Sequence, residues 1–244
     1  MATNPINEKA MFLKSLPLFS GVSLLDCSNI LSNSREHNFS RRQTIFAEGD
    51  PLRQILLLVS GCVKQTQFGE DGSEVILRLA GPGEIIGGFG LCSDVAHCST
   101  AQTMEASTVM VWSKASFESV LDRFPVLHRN VIRTLETRLQ DMDQRFREIS
   151  TQRVAPRLSS QLVRLMSQVG KRINGHMEIS LSRSELAQLT GTTLFTVSRL
   201  LSQWEQLGIV DARRECVTVR DLPALVELSQ SEPTLASFQI LPSA

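Results

Sequence analysis

The stretch FPVLHRNVIRTLETRLQDMDQRFREIS, residues 124–150, carries a narrow apolar seam. Ile132, Leu135, Leu139, Met142, Phe146 and Ile149 stand at steps of 3, 4, 3, 4 and 3, the heptad spacing of a coiled coil. Nearly everything between them is Arg, Glu, Asp, Gln or Thr. A stripe that narrow suits one partner helix better than a broad core, so the spacing predicts a two-stranded coiled coil between identical chains. The plainer alternative is an amphipathic helix lying on its own domain. Burying six such side chains from each of two helices would release about 18 to 36 kcal/mol gross, before ordering entropy is subtracted. A strand-rich segment precedes this helix and a helical segment follows it, so two halves would be joined by a rod of roughly 38 Å.

A chain of 244 residues accommodates two ordinary domains. Its 20% charged residues are those of a soluble globular protein, and no apolar run approaches the length a membrane span needs. The N-terminus has no basic flank followed by an apolar core, which argues against secretion. Five scattered cysteines make no disulfide framework. A reducing cytoplasm is the expected location. Net charge is zero overall, yet residues 150–220 hold 10 Lys and Arg against 5 Asp and Glu. That excess points to a polyanionic partner for this segment, against the simpler alternative of a solvated basic face.

Upstream of the seam, residues 6–36 read as two or three short helices broken by LPLFSG at 16–21. From Asn38 the period changes. Residues 44–46, 54–59, 62–68, 74–79, 84–87, 99–104 and 108–112 are short runs rich in Val, Ile, Leu and Thr, punctuated by Gly and Pro turns. Their spacing predicts an antiparallel double-sheet barrel of the jelly-roll kind, able to enclose a small ligand.

Downstream, Pro156 suits a first helical turn, and 157–169 is amphipathic through Leu158, Leu162, Leu165 and Val169. Gly170 to Gly175 ends it. In SLSRSELAQLTGTTLFTVSRLLSQWEQLGIV, residues 180–210, Ser182 or Ser184 caps a helix through Leu189 and Thr193 caps a second through Gln206. Small Ala187, turn-forming Gly191 and branched Val197 let two helices cross closely, as in a helix-turn-helix. With Ile209, Val210, a basic tip at Arg213 and Arg214, and a strand at 217–220, the unit reads as a winged helix-turn-helix. Leu200, Leu201, Trp204 and Leu207 form its expected buried face. Thr193, Thr196, Ser198 and Arg199 face outward, where hydroxyls and helix amides hold phosphate and a guanidinium reaches guanine O6 and N7. Leu194 and Phe195 form an apolar pair suited to a thymine methyl. Arg183, Arg213 and Arg214 are expected on the DNA backbone. Residues 222–244, with Pro223, Pro233 and Pro242, read as a short helix and a loosely held tail.

The glycine order in EGDPLRQILLLVSGCVKQTQFGEDGSEVILRLAGPGEIIG, residues 48–87, resembles the cyclic-nucleotide-binding fold of the CRP/FNR family of bacterial transcription regulators. The likeness continues through the seam helix to about Arg220. It implies an α+β chain: a sensor barrel with N-terminal helices over 1–123, a dimerisation helix over 124–150, a winged DNA-binding domain over 151–221 and a tail over 222–244. It also implies double-stranded DNA, a second copy and RNA polymerase as partners, with Ser198 and Arg199 matching the end of the family's recognition pattern. Phe195 stands where the family's common Glu would be.

The effector pocket departs from that pattern. Members that bind cyclic AMP use a Gly-Glu pair for the ribose and an Arg-Ser pair for the phosphate, a cation and a hydroxyl meeting an anion. Here Gly87 matches the glycine, but Gly88 replaces the Glu, and His97 and Cys98 replace Arg and Ser; Phe89 and Ser99 complete the expected lining. That disfavours cyclic AMP. The lone Cys27 near the N-terminus disfavours the iron-sulfur branch. Cys92, His97 and Cys98 in one loop, with Cys62 on a nearby strand, read either as a redox, metal or haem contact or as small apolar cysteines and a loop histidine. No resident metal site is expected. A haem, redox or small-molecule sensing module acting through protein contacts is the rival function. An enzyme with a cupin-like metal site is the weaker rival: the barrel offers only His97, with His37 just before it and His128 and His176 outside, and no nucleophile has a nearby base.

Overall fold

The seam stretch folds as one uninterrupted helix. In a computed structural model, which describes residues 5–89, 91 and 96–230, this helix, α4, runs Val126–Thr151. The chain divides into two compact units with the boundary inside α4, between Arg145 and Phe146.

In the first unit the N-terminal helices are α1 Pro5–Ser15 and α2 Leu24–Ser32, with a 3-10 turn Pro17–Phe19 at the predicted break. The strands are β1 Arg35–Phe39, β2 Thr44–Phe46, β3 Gln54–Ser60, β4 Val63–Phe68, β5 Glu74–Ala80, β6 Ile85–Ile86, β7 Thr100–Thr103 and β8 Ser107–Ser113. They form two antiparallel four-stranded sheets, ordered β1-β8-β3-β6 and β2-β7-β4-β5, the expected jelly roll. Strand β1 lies where helix was expected to run through residue 36. Its REHNF sequence is mostly exposed at the sheet edge and so carries no apolar alternation. His37 therefore belongs to the barrel, paired with Val109, rather than preceding it.

The run Ile55-Leu56-Leu57-Leu58 is buried on both faces of its sheet. Leu56 and Leu58 pack with Phe46, Ile86, Val109 and Val111. Ile55 and Leu57 join Met110 and Trp112 in a second core with α1, α2, the start of α4, and α3, Lys114–Arg123. Two faces to cover explain why this strand is continuously apolar instead of alternating. Trp112 donates its indole N–H to the Ile30 carbonyl at 3.0 Å, and Asn130 donates to the carbonyls of Leu18 and Ser20 at 2.9 and 2.8 Å.

Helix α4 presents a second stripe beside the seam. Leu127 and Val131 are fully buried, and Arg138 donates to the carbonyls of Ile85 and Gly87 at 2.6 and 3.2 Å. Arg145 donates to the Leu77 carbonyl. This stripe is half charged, so a search for apolar periodicity passes over it.

The second unit contains α5 Val154–Gln168, β9 Lys171–Ile173, β10 His176–Ile179, α6 Arg183–Thr190, α7 Leu194–Gln206, β11 Val210–Ala212, β12 Val217–Val219 and α8 Leu222–Gln230. Its sheet is ordered β11-β12-β10-β9. The hairpin β9–β10, read from sequence only as the end of a helix, turns at Asn174 and Gly175, both with positive φ. The Asn-Gly pair is the usual two-residue hairpin turn. Helix α8 is the short helix expected after residue 221, and it packs into this unit through Leu225, which is fully buried. Residues 231–244, with Pro233 and Pro242, lie outside the described residues. Glu148 at the end of α4 is buried and takes a two-pronged ion pair from Arg164 of α5, both contacts at 2.7 Å. Among the described residues no helix is long and apolar enough to cross a membrane.

Candidate nucleic-acid interface and barrel pocket

Local sequence builds the two-helix corner. Ser182 caps α6 in a capping box with Glu185: the serine hydroxyl accepts from the Glu185 N–H at 3.2 Å, and the carboxylate accepts from the Ser182 N–H at 2.7 Å. Gly191 then takes φ 58° and ψ 48°, a left-handed geometry that side-chain-bearing residues adopt at a cost. Arg157 secures the corner from beneath, its guanidinium buried and donating to the carbonyls of Thr190, Gln152 and Gly191 at 2.7, 3.2 and 3.4 Å. Burial lowers its pKa, and Glu148 opposes the shift. The sequence reading had not identified this role; an Arg at the start of an amphipathic helix gives no cue to it.

Val197, Leu200, Leu201 and Trp204 form the buried face of α7 as expected. Leu207 does not: it is 71% exposed. It follows the last helical residue, and Gly208 at φ 72° breaks the period there. The chain reverses so that Ile209 is buried instead, donating its N–H to the Trp204 carbonyl at 2.8 Å.

The outward face holds the predicted readers. Thr193 caps α7 by accepting from the Thr196 N–H at 3.2 Å, and the two hydroxyls lie 2.9 Å apart. Leu194, Phe195 and Arg199 are exposed and Ser198 is half-buried. Ser202 and Gln203, one turn further on, are exposed too; sequence reading had omitted them, although their i+4 relation to Ser198 and Arg199 marks the same face. Arg199 and Arg214 make no hydrogen bond or ion pair with another described residue.

The other predicted cations differ. Arg213, 70% exposed, stands 3.7 Å from Asp211, whose carboxylate also receives Arg220 at 3.1 Å. Arg183 is half-buried and donates to the wing carbonyl of Ala212 at 3.2 Å, so it ties α6 to the wing. Of the ten Lys and Arg in residues 150–220, Arg157, Arg164 and Arg183 are structural, whereas Arg199, Arg213 and Arg214 point outward.

In the barrel, Gly87 has φ 75°, and a Cβ there would stand 3.0 Å from both His97 Nδ1 and the Phe46 ring. His97 is buried and stacked on Phe46, centroids 3.6 Å apart. Its Nδ1 has no hydrogen-bond partner among the described residues. Burial lowers its pKa, with Asp50 opposing. Ser99 accepts from Gln65 at 3.2 Å. Phe89 is buried under the Arg138 guanidinium, 5.2 Å from its ring centroid. Burial, and after it the nearby Arg78, push Arg138 down to about 10, with Glu84 opposing; it stays charged at neutral pH.

The expected cysteine cluster is not one set. Cys98 is exposed, and its carbonyl accepts from Gln67 at 2.5 Å. Cys62 lies beyond the opposite end of β4, five residues from Gln67, or about 17 Å along an extended strand. Cys92 lies outside the described residues. Among those described, no group of three or more His, Cys, Asp or Glu could hold a metal ion. Burial pushes the thiols of Cys27 and Cys216 up, away from thiolate character.

Comparison with known proteins places both units. Residues 36–124 match the cyclic nucleotide-binding domain and residues 156–228 the Crp-like helix-turn-helix domain. The anaerobic regulatory protein of Pasteurella multocida is 26% identical over 202 residues, 82% of this chain and 74% of that protein. The cyclic AMP receptor protein of Thermus thermophilus is 27% identical over 218 residues, 89% of this chain and 98% of that one. The chain belongs to the CRP/FNR family of transcription regulators. The fold is shared with FixK2 from Bradyrhizobium japonicum at TM-score 0.72 and 21% identity, covering 82% of this chain and 99% of that one.

As a CRP/FNR member the chain is a DNA-binding transcription regulator, and its relatives are regulators rather than enzymes. Its described pocket residues do not fit the cyclic nucleotide that the domain's name implies. At the position that the family resemblance gives to the phosphate-binding Arg, His97 is stacked on Phe46 and burial disfavours its protonation. Gly88 supplies no carboxylate, and the Arg138 guanidinium is committed to two backbone carbonyls.

Proposed function

We propose that this regulator acts in the cytoplasm as a homodimer. Its two α4 helices pair along the seam, and its two winged domains occupy successive major grooves of a near-palindromic site about 34 Å apart. The observation that carries the reading is the state of the seam: Ile132, Leu135, Leu139, Met142, Phe146 and Ile149 are 43% to 75% exposed in the single chain. Apolar residues left uncovered at heptad spacing on an uninterrupted helix have a second copy as their natural cover. Arg199 reads a base, Arg213 and Arg214 meet phosphates, and Arg183 supports the wing that carries them. The barrel receives the controlling signal, which must favour the DNA-competent arrangement over the other to have any effect. Family likeness supports RNA polymerase as the further partner.

The test is titration of Arg199→Ala and Arg213→Ala against a selected operator and random duplex at several salt concentrations. Arg199→Ala is expected to cost about 1 to 3 kcal/mol on the operator alone. Arg213→Ala should weaken both duplexes alike and reduce the salt slope by about one. Equal losses on both DNAs for both variants would overturn the assignment.

A further inference from the structure

Phe195 is 78% exposed in the first turn of the helix that faces DNA, and nothing in its own domain accounts for an uncovered phenyl ring there. Leu194 beside it is also exposed. The hydroxyls of Thr193 and Thr196 are engaged with each other and with the helix end. The outward groups at the start of α7 are therefore an apolar pair, followed one turn on by Ser198 and Arg199. A phenyl ring neither donates nor accepts a conventional hydrogen bond, so it gains nothing from a phosphate and cannot match the polar edge of a base. The apolar feature on the major-groove edge is the C5-methyl group of thymine.

We propose that Phe195 reads a thymine methyl, one or two base pairs from the guanine contacted by Arg199. The spacing follows from the helix: residues 195 and 199 are four apart, about 6 Å along the axis, against about 3.4 Å between stacked bases. Discrimination acts in both senses. The methyl is buried against the ring, whereas a cytosine in its place would point its N4 donor at carbon and lose a water partner without replacement. The inference rests on the DNA-reading assignment above and names the base that assignment leaves open.

The experiment starts with selection of binding sites from a random duplex library. Each thymine of the selected site is then replaced by uracil, which lacks only the methyl group. Wild-type protein is expected to lose about fourfold in affinity at one thymine in each half-site, the worth of one buried methyl. Phe195→Ala should bind thymine and uracil duplexes alike, and circular dichroism with thermal melting checks that the variant is folded. Phe195→Glu should move the preference at that position towards cytosine, whose N4 a carboxylate can accept. If no sequence is selected, the DNA-reading assignment itself fails. If a site is selected but uracil is tolerated at every position, or the uracil penalty persists in Phe195→Ala, the methyl-reading role of Phe195 is overturned while the broader assignment stands.

Discussion

Replacing Leu139 by Asp places the change at the middle of the seam. Leu139 is 58% exposed in the single chain. If full burial of a leucine is worth about 2 kcal/mol, pairing covers the remaining part for about 1.2 kcal/mol per chain, or about 2.4 per dimer, because symmetry makes the substitution act twice. Two carboxylates facing each other at roughly 6 Å add about 1 to 3 kcal/mol of repulsion at an effective dielectric of 20 to 40. Together these weaken association by about three orders of magnitude, at about 1.4 kcal/mol per tenfold. Sedimentation velocity across a concentration series gives the dissociation constant directly, and circular dichroism checks that each chain remains folded. Thr137→Asp adds the same charge away from the seam at an exposed position, and should leave the dimer intact. A Leu139→Asp protein that dimerises like wild type would refute the pairing, as would wild type that stays single at tens of micromolar with duplex present.

Two further outcomes follow from the ion pair in the second unit and the histidine in the barrel. Arg164→Ala removes the two-pronged partner of the Glu148 carboxylate, only 2% exposed, and should destabilise that unit by about 3 kcal/mol. Glu148→Ala leaves a guanidinium that is partly solvated and still donates to Gln161 at 2.9 Å, so about 1 to 2 kcal/mol is expected; urea midpoints that rank the two the other way would contradict this. For His97, burial depresses the folded-state pKa below its ordinary value of 6.5, so the unfolded chain binds the proton more readily. Barrel stability should therefore fall as pH drops through about 6.5 and level off below the folded pKa. His97→Gln should flatten that part of the melting-temperature profile, and an unchanged profile would remove the histidine as its source.

What could be read from the chain was what is local. The heptad steps from Ile132 to Ile149, the Ser182 cap with Glu185 three residues on, and the left-handed Gly191 each act within a few residues, so order along the chain is enough. The edge strands β1 and β9 were missed because REHNF and KRI are exposed on a sheet margin and need no apolar alternation. The Asn-Gly turn after β9 was visible and was read only as a helix end. Arg138, Arg145 and Arg157 looked like surface cations. Their inward roles depend on carbonyls 53, 68 and 33 residues away, and spacing says nothing about such partners. Topology likewise separated Cys62 from Cys98, whereas a residue count could not tell that β4 runs between them.

Arg138 and Leu139 are consecutive residues on a rigid rod, and they serve different masters. The first is hooked over the backbone at Ile85 and Gly87; the second faces the would-be twin. About 100° of helical turn separates them, so α4 cannot swivel to loosen one grip without re-aiming the other. A small molecule that merely displaced the carbonyl of Gly87 would therefore be felt at the proposed pairing seam within a single peptide unit, with no intervening relay.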